Sequence, residues 1–418
     1  CNGILRTRKR PVNHALQRPA GAASRATPAR RGTPGGSPNV SPPAGRGLAL
    51  TRMALPALRV LYIEAPVGFG GSLTGLLQLL AELPAHVEPV LVTSFDPAPF
   101  IDLPAGLTHR QADVPTWKAA GGHWIPGVAR YLRQHVGPWT RAVDQYLREF
   151  RPHLIHANNS VTVNWPAARA ARRWGIPAIA HQKGFEYPGR LSRWLVTHGG
   201  FTHHIATSGA IAQQLYSLGL PPQRCTTIYE PVSGPADDAW DRPRDNPIPV
   251  VGMHSVLGHW KGQHVVLQAL AEVIRRNRTP VALEIAGAPP AGETDYLDSL
   301  HRLVADLGIE KHVRFVGHLR DVYAFLSRVD FAVHASVDPE PFGRVVAEAM
   351  LCGLPVIVTT QGGPAEYIED GVSGCHVPCG DVRATADTIE RLAASADLRR
   401  RMGRAARQFA VREFEPRR

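Results

Sequence analysis

Twice along its length this chain alternates short apolar runs with helix-length amphipathic stretches, and one polar break separates the two series. In the first, Leu58–Ala65, Val87–Ser94, Leu154–Ala157, Ala178–His181, His204–Ser208 and Thr226–Tyr229 read as strands. Ser72–Leu83, Val128–Phe150, Val163–Trp174 and Gly209–Leu218 read as helices between them. Residues 233–249 then hold four prolines and four aspartates and no apolar run, which marks a linker. Beyond it the alternation restarts with strands Val250–Ser255, Ala282–Ala286, Val313–Val316, Phe331–His334 and Val356–Thr359. Helices Gln263–Arg275, Asp295–Leu307 and Val322–Ser327 lie between these, and Arg383–Phe414 reads as a closing helical region. Apolar runs alternating with helices mean βαβ units and parallel sheets covered on both faces. The expectation is an α/β chain with two doubly wound domains facing a central cleft.

The segment Glu340-Pro341-Phe342-Gly343-Arg344-Val345-Val346-Ala347-Glu348 carries the clearest chemistry. Two carboxylates stand eight positions apart around a Phe-Gly turn that should open a helix. At about 100° per residue, Val345, Glu348, Ala349 and Cys352 share one helical stripe. Glu348 therefore falls among small apolar neighbours on the face that ought to be buried, where a carboxylate needs a partner. Either an arginine of the protein or a ligand hydroxyl can supply it. Gly343 lies at the helix start, where free N–H groups and the helix dipole favour phosphate. The ensemble suits a phosphorylated, polyhydroxylated molecule.

This segment closely resembles the E-x7-E region of the family 4 glycosyltransferases, retaining enzymes with two Rossmann-like domains. The family pattern runs from a serine to Glu-Pro-Phe-Gly, then Glu-Ala-Met-Ala-x-Gly-x-Pro-Val, and later Gly-Gly-x-x-Glu. Its counterparts are Ser336, Glu340 to Gly343, Glu348 to Val356, and Gly362 to Glu366. The resemblance continues more weakly from about residue 58 to the C-terminus. It implies an acceptor domain over 53–233, a linker over 234–249 and a donor-binding domain over 250–418, whose last helix packs back on the first domain. It also implies donor contacts from Lys261, Phe342, Gly343, Arg344 and Glu348, and places Glu340 near the reacting sugar carbon.

Lys261 in His259-Trp260-Lys261-Gly262 follows the first strand of the second domain, where an ammonium can neutralise a diphosphate leaving group. The family adds an arginine about five positions earlier; here Val256 stands in that place. Gly68-Phe69-Gly70-Gly71-Ser72 opens the first helix, and its Gly70 and Gly71 let backbone approach a ligand closely. At the end of the run Pro177–Phe185, Lys183 occupies the position of the family's active-site histidine, with His181 two residues earlier on the same strand face. Either side chain can point into the cleft, or both can be satisfied polar groups at a strand end. Glu230-Pro231 stands where the family usually has Asn-Gly or Asn-Pro. Glu366 reads as a cap for its own helix.

The net charge of +12 invites a nucleic-acid partner, but ten of the 47 Lys and Arg lie in residues 1–52, which contain no Asp or Glu. The remainder carries 37 basic and 35 acidic residues and is nearly neutral. The leader's Pro, Gly, Ala and Ser content predicts disorder, and Met53 just after it is a candidate true start. No apolar run of membrane-spanning length exists, and the five scattered cysteines form neither a disulfide framework nor a zinc site. No Asp-x-Asp motif is visible, so no metal is expected. The combined reading is a cytoplasmic retaining glycosyltransferase that can work at the inner membrane face. Its substrates would be a nucleotide-diphosphate sugar and a glycan or lipid-linked acceptor, with no separate cofactor. An epimerase or phosphorylase of the same fold, or a silent sugar- or nucleotide-binding module, is the alternative.

Overall fold

The computed structural model describes residues 56–65, 70–99, 101–114, 130–235, 240, 246–290 and 292–416. The leader expected over 1–52, Gly68 and Phe69 of the glycine loop, the start of the helix expected from Val128 and most of the linker lie outside these residues. Two parallel sheets form, both within the unit Ala54–Arg418. The first contains β1 (Leu58–Glu64), β2 (Val87–Thr93), β3 (Thr108–Gln111), β4 (Leu154–Asn158), β5 (Ala178–Gln182), β6 (His203–Ala206) and β7 (Cys225–Thr227). Their spatial order is β3-β2-β1-β4-β5-β6-β7. The second contains β8 (Val250–His254), β9 (Ala282–Ala286), β10 (Val313–Gly317), β11 (Phe331–His334), β12 (Val356–Thr359) and β13 (Gly374–Val377), in the order β10-β9-β8-β11-β12-β13.

The central strands of each sheet are buried on both faces, which is why they read as apolar runs. In β1, Leu61 and Ile63 join the core on one face while Val60 and Tyr62 join the core on the other. Strand order reverses between β1 and β4 in the first sheet and between β8 and β11 in the second. A crevice opens at the carboxyl ends of such strand pairs. The residues that end them are Glu64 and Asn158 in one domain, and His254 and His334 in the other.

Some elements differ from expectation. The edge strands β3 and β13 and the helix Arg190–His198 lack a clear apolar run and were not anticipated. The closing region is two helices, Val382–Ala393 and Ala396–Phe414. Ser395 ends the continuity by capping the second: its side chain accepts a hydrogen bond from the Leu398 N–H. The last helix buries Ala406, Ala410 and Phe414 in the same cluster as Val346 and Met350. At its end the Phe414 carbonyl accepts from the Val232 N–H at 2.9 Å, so it meets the segment leaving the first sheet. Among the described residues no helix is long and apolar enough to cross a membrane.

Candidate functional site

The two glutamates sit where the Phe-Gly turn meets the second sheet. Gly343 has φ +82° and caps the helix Arg344–Leu351, a conformation a side chain would strain. A Cβ there would also lie 2.6 Å from Pro364 Cγ. Before this turn, the backbone of Glu340 is fixed by Gly362-Gly363. The Gly363 N–H donates to the Glu340 carbonyl at 2.8 Å, and a Cβ on Gly362 would lie 2.2 Å from that oxygen. The spacing of the two glycine-bearing motifs thus reflects one backbone contact.

Glu340 Oε2 takes a contact from the Lys261 ammonium and accepts from His334 Nε2 at 3.2 Å. Burial opposes its charge, but the His334 hydrogen bond and the Lys261 ammonium outweigh burial and hold the carboxyl down at about 2. His334 ends β11, and its Nε2 also lies 3.2 Å from the Ser336 hydroxyl. Lys261 arrives on the turn His259–Lys261 after β8. Glu348, one helical turn into Arg344–Leu351, accepts from His254 Nε2 at 3.1 Å and has Arg344 Nη2 at 3.9 Å. Its side chain is 16% exposed, so it lies at the cleft margin rather than deep in the core. Both carboxylates therefore have protein partners.

Arg344 reaches into the first domain. Its Nη1 donates to the Pro231 carbonyl at 2.9 Å and its Nη2 to Gln78 Oε1 at 3.0 Å. Gly71 is within its reach too: a Cβ there would lie 3.3 Å from Arg344 Cδ, whereas one on Gly70 would meet nothing within 4 Å. Phe342, expected among the donor contacts, belongs to the turn before Gly343 and turns its ring inward. Phe342 is buried among Tyr229, Tyr367 and Phe414, and its carbonyl accepts from the Tyr367 hydroxyl at 2.7 Å. The role expected of Glu366 changes. It caps no helix of its own domain; it accepts from the Gly209 and Ala210 N–H groups at 2.8 and 3.1 Å, in the first turn of Gly209–Ser217.

On the first domain, His181 and Lys183 are both enclosed. His181 Nδ1 lies 3.1 Å from His156 Nε2. Burial, then the Lys183 charge, lowers the His156 pKa to about 3 and drives His181 well down, so both rings are neutral. Lys183 Nζ lies 2.6 Å from Glu230 Oε1, with both side chains 5% exposed. Neither His181 nor Lys183 stands open to solvent.

Sequence reasoning did not single out Glu64, Asn158, Asn159, His156, His254 or His334. Glu64 is fully buried, bonded by Asn158 Nδ2 and, at 3.5 Å, by Asn159 Nδ2; burial raises its pKa against these bonds and the Lys183 charge. Asn159 has φ +96°, outside the ordinary range for its residue type. The signal for several of them was available: a polar residue closing an otherwise apolar parallel strand stands at the crevice edge. Among the described residues no group of three or more His, Cys, Asp or Glu comes together in a way that could hold a metal ion.

Two family models match the chain: Glycosyltransferase Family 4 over residues 69–233, and Glycosyl transferases group 1 over 237–409. A D-inositol 3-phosphate glycosyltransferase of Frankia alni is 29% identical, covering 84% of this chain and 86% of that protein. A GDP-mannose-dependent alpha-(1-6)-phosphatidylinositol monomannoside mannosyltransferase of Mycolicibacterium smegmatis is 34% identical; the match covers 40% of this chain and 44% of the relative. Among solved structures, Anabaena HepE in complex with UDP-glucose aligns with a TM-score of 0.69 at 23% identity, covering 86% of this chain and 96% of that one. A Rickettsia africae glycosyltransferase aligns with a TM-score of 0.71 at 17% identity, covering 86% and 95%. At these identities the structural likeness establishes the two-domain fold.

Proposed function

This chain belongs to the family 4 glycosyltransferases, and from that premise we propose that it moves a sugar from a nucleotide-diphosphate donor to an acceptor hydroxyl with retention of configuration. The observation that carries the reading is the convergence of Glu340, Lys261, Glu348 and the Gly343 helix start at one crevice. Glu348 accepts hydrogen bonds from the ribose hydroxyls, with His254 steadying the carboxylate. The first-turn N–H groups after Gly343 and the Lys261 ammonium take the diphosphate. Fixed cations and dipoles stabilise the leaving group without reorganising as its charge develops.

In the free protein Lys261 is held by Glu340. A diphosphate offers that ammonium a stronger partner, and its departure frees the Glu340 carboxylate to face the donor sugar. Donor binding thus prepares the group that acts near the reacting carbon.

The acceptor belongs to the polyol, glycan or lipid-linked class, in keeping with the glycosylated inositol phosphates and phosphatidylinositol named for the relatives. In this reading the reaction runs in the cytoplasm, with peripheral contact at the inner membrane face where the acceptor is a lipid. A panel of nucleotide sugars tests the reading in two steps, a rise in melting temperature and then product detection. A ligand at ~100 times its dissociation constant adds ~2.7 kcal/mol to stability. A panel in which no nucleotide sugar raises the melting temperature would refute the donor site.

A further inference from the structure

Two departures from the family pattern, far apart in sequence, meet in space. Lys183 stands in the position of a histidine, Glu230 in the position of an asparagine, and their charged ends are 2.6 Å apart. Each alone would be a buried charge with no countercharge at contact; together they neutralise each other. The second Glu230 oxygen, Oε2, is buried with no hydrogen-bond partner. It presses against Gly75 of the helix Gly71–Ala81, where a Cβ would lie 2.1 Å from it and 3.3 Å from Arg344 Nη1. The Glu230 carboxylate and the Arg344 guanidinium therefore converge on one helical glycine. Arg344 nevertheless spends its hydrogen bonds on Gln78 and the Pro231 carbonyl, and the Nη2 that meets Gln78 also lies 3.9 Å from Glu348 Oε1.

We propose that Lys183 is a positioning residue for donor binding: by neutralising Glu230 it stops that carboxylate from capturing Arg344. The proposal rests on the donor-site reading above. Arg344 opens the helix that carries Glu348, so its placement sets where the ribose and diphosphate contacts stand relative to each other. This matters more here than in a chain with the extra arginine, because Val256 leaves more of the diphosphate charge to Lys261 and Arg344. The lysine is thus a countercharge rather than a base. Its pKa is lowered by burial, and Glu230 and Glu64 work in the opposite direction to keep it charged.

The test uses UDP and GDP as probes, with calorimetric affinity measured at a temperature where every variant is folded. Lys183→Met should weaken binding of the preferred nucleotide roughly tenfold, and Lys183→Met/Glu230→Gln should recover most of that loss, the signature of two coupled residues. In an Arg344→Met background the Lys183 change should have little further effect. A purely structural ion pair also allows recovery in the double variant, so the Arg344→Met background decides: there it predicts the full loss from Lys183→Met, and that result overturns the proposal. Lys183→Gln replaces the methionine variant if that one does not fold, with the same recovery expected. Undiminished binding by Lys183→Met, or a double variant as weak as the single, overturns the proposal while leaving the donor site standing. Wild-type protein that binds neither nucleotide overturns the donor-site reading itself, and the proposal falls with it.

Discussion

His254 Nε2 lies 3.1 Å from Glu348 Oε2, joining the last residue of β8 to the helix that starts at Gly343. The imidazole fixes one carboxylate oxygen and leaves the other, 3.9 Å from Arg344, turned to the cleft. His254→Phe keeps a ring and removes the donor, so nucleoside diphosphate affinity should fall by about 1 kcal/mol, the net worth of one such bond. A 2′-deoxy analogue should bind worse than the parent nucleotide to wild type and show little extra loss in Glu348→Gln. Calorimetric titration of both ligands against both proteins reads this directly; additive penalties would mean Glu348 does not touch the ribose.

Lys261 and Glu340 should give effects of opposite sign on affinity. Lys261→Ala removes a charge-assisted contact and should cost roughly 1.5–3 kcal/mol in binding both donor and free nucleoside diphosphate. Glu340→Gln releases the ammonium that Glu340 holds in the free protein. It should therefore bind nucleoside diphosphate up to roughly tenfold more tightly while turning over more slowly, since the carboxylate acts as charge develops on the sugar. Equal losses of affinity in the two variants would contradict the exchange of partners.

How much of this was readable in advance depends on where each residue takes its meaning. The central parallel strands were legible because both their faces are covered, so β12 and most of β1 and β9 are apolar. The Phe-Gly turn was legible because one helix start and one glycine conformation serve a local purpose. The partners were not. His254 meets Glu348 across 94 positions, and Lys183 meets Glu230 only once β5 and the segment after β7 are placed. The burial of the Phe342 ring in an aromatic cluster was not legible either, because Tyr229 and Phe414 come to it from remote segments. The edge strand β3, Thr-His-Arg-Gln, carries no apolar alternation and takes its place from backbone pairing with β2.

Acid should destabilise the fold in two separate windows. Burial lowers the pKa of His156 and His204 to about 3, while the unfolded chain takes up a proton on each near the ordinary 6.5. A depressed histidine stabilises fully above pH 6.5, and that contribution is lost as pH falls toward 3. Glu340, held at about 2 against an ordinary 4.5, contributes above pH 4.5 and loses its contribution as pH falls through 2. His204 isolates the first window, since it is buried with neither ring nitrogen hydrogen-bonded. His204→Phe should narrow the stability difference between pH 8 and pH 5 by on the order of 2 kcal/mol in urea unfolding. An unchanged difference would show that His204 stays protonated in the fold.

Glu366 and Gly209 supply the last test, of how the two domains are joined. The Glu366 carboxylate accepts from the Gly209 and Ala210 N–H groups at 2.8 and 3.1 Å, so a donor-domain residue caps a helix of the first domain. Gly209 makes room for it: a Cβ there would lie 2.7 Å from Glu366 Oε2. A carboxylate at a helix N-terminus satisfies free N–H groups and meets the positive end of the dipole, worth roughly 0.5–2 kcal/mol. Glu366→Ala should lose that much stability, and Gly209→Ala should lose a comparable amount by displacing the carboxylate. The double variant should be no worse than the poorer single, because both changes break one contact. Nucleoside diphosphate affinity should change little in Glu366→Ala, since the contact touches the neighbouring domain and not the nucleotide. Turnover should fall, because the two domains no longer hold donor and acceptor at a fixed separation. Additive stability losses in the double variant would show that the carboxylate and the Gly209 turn are independent, and the domain-joining role of Glu366 would be lost.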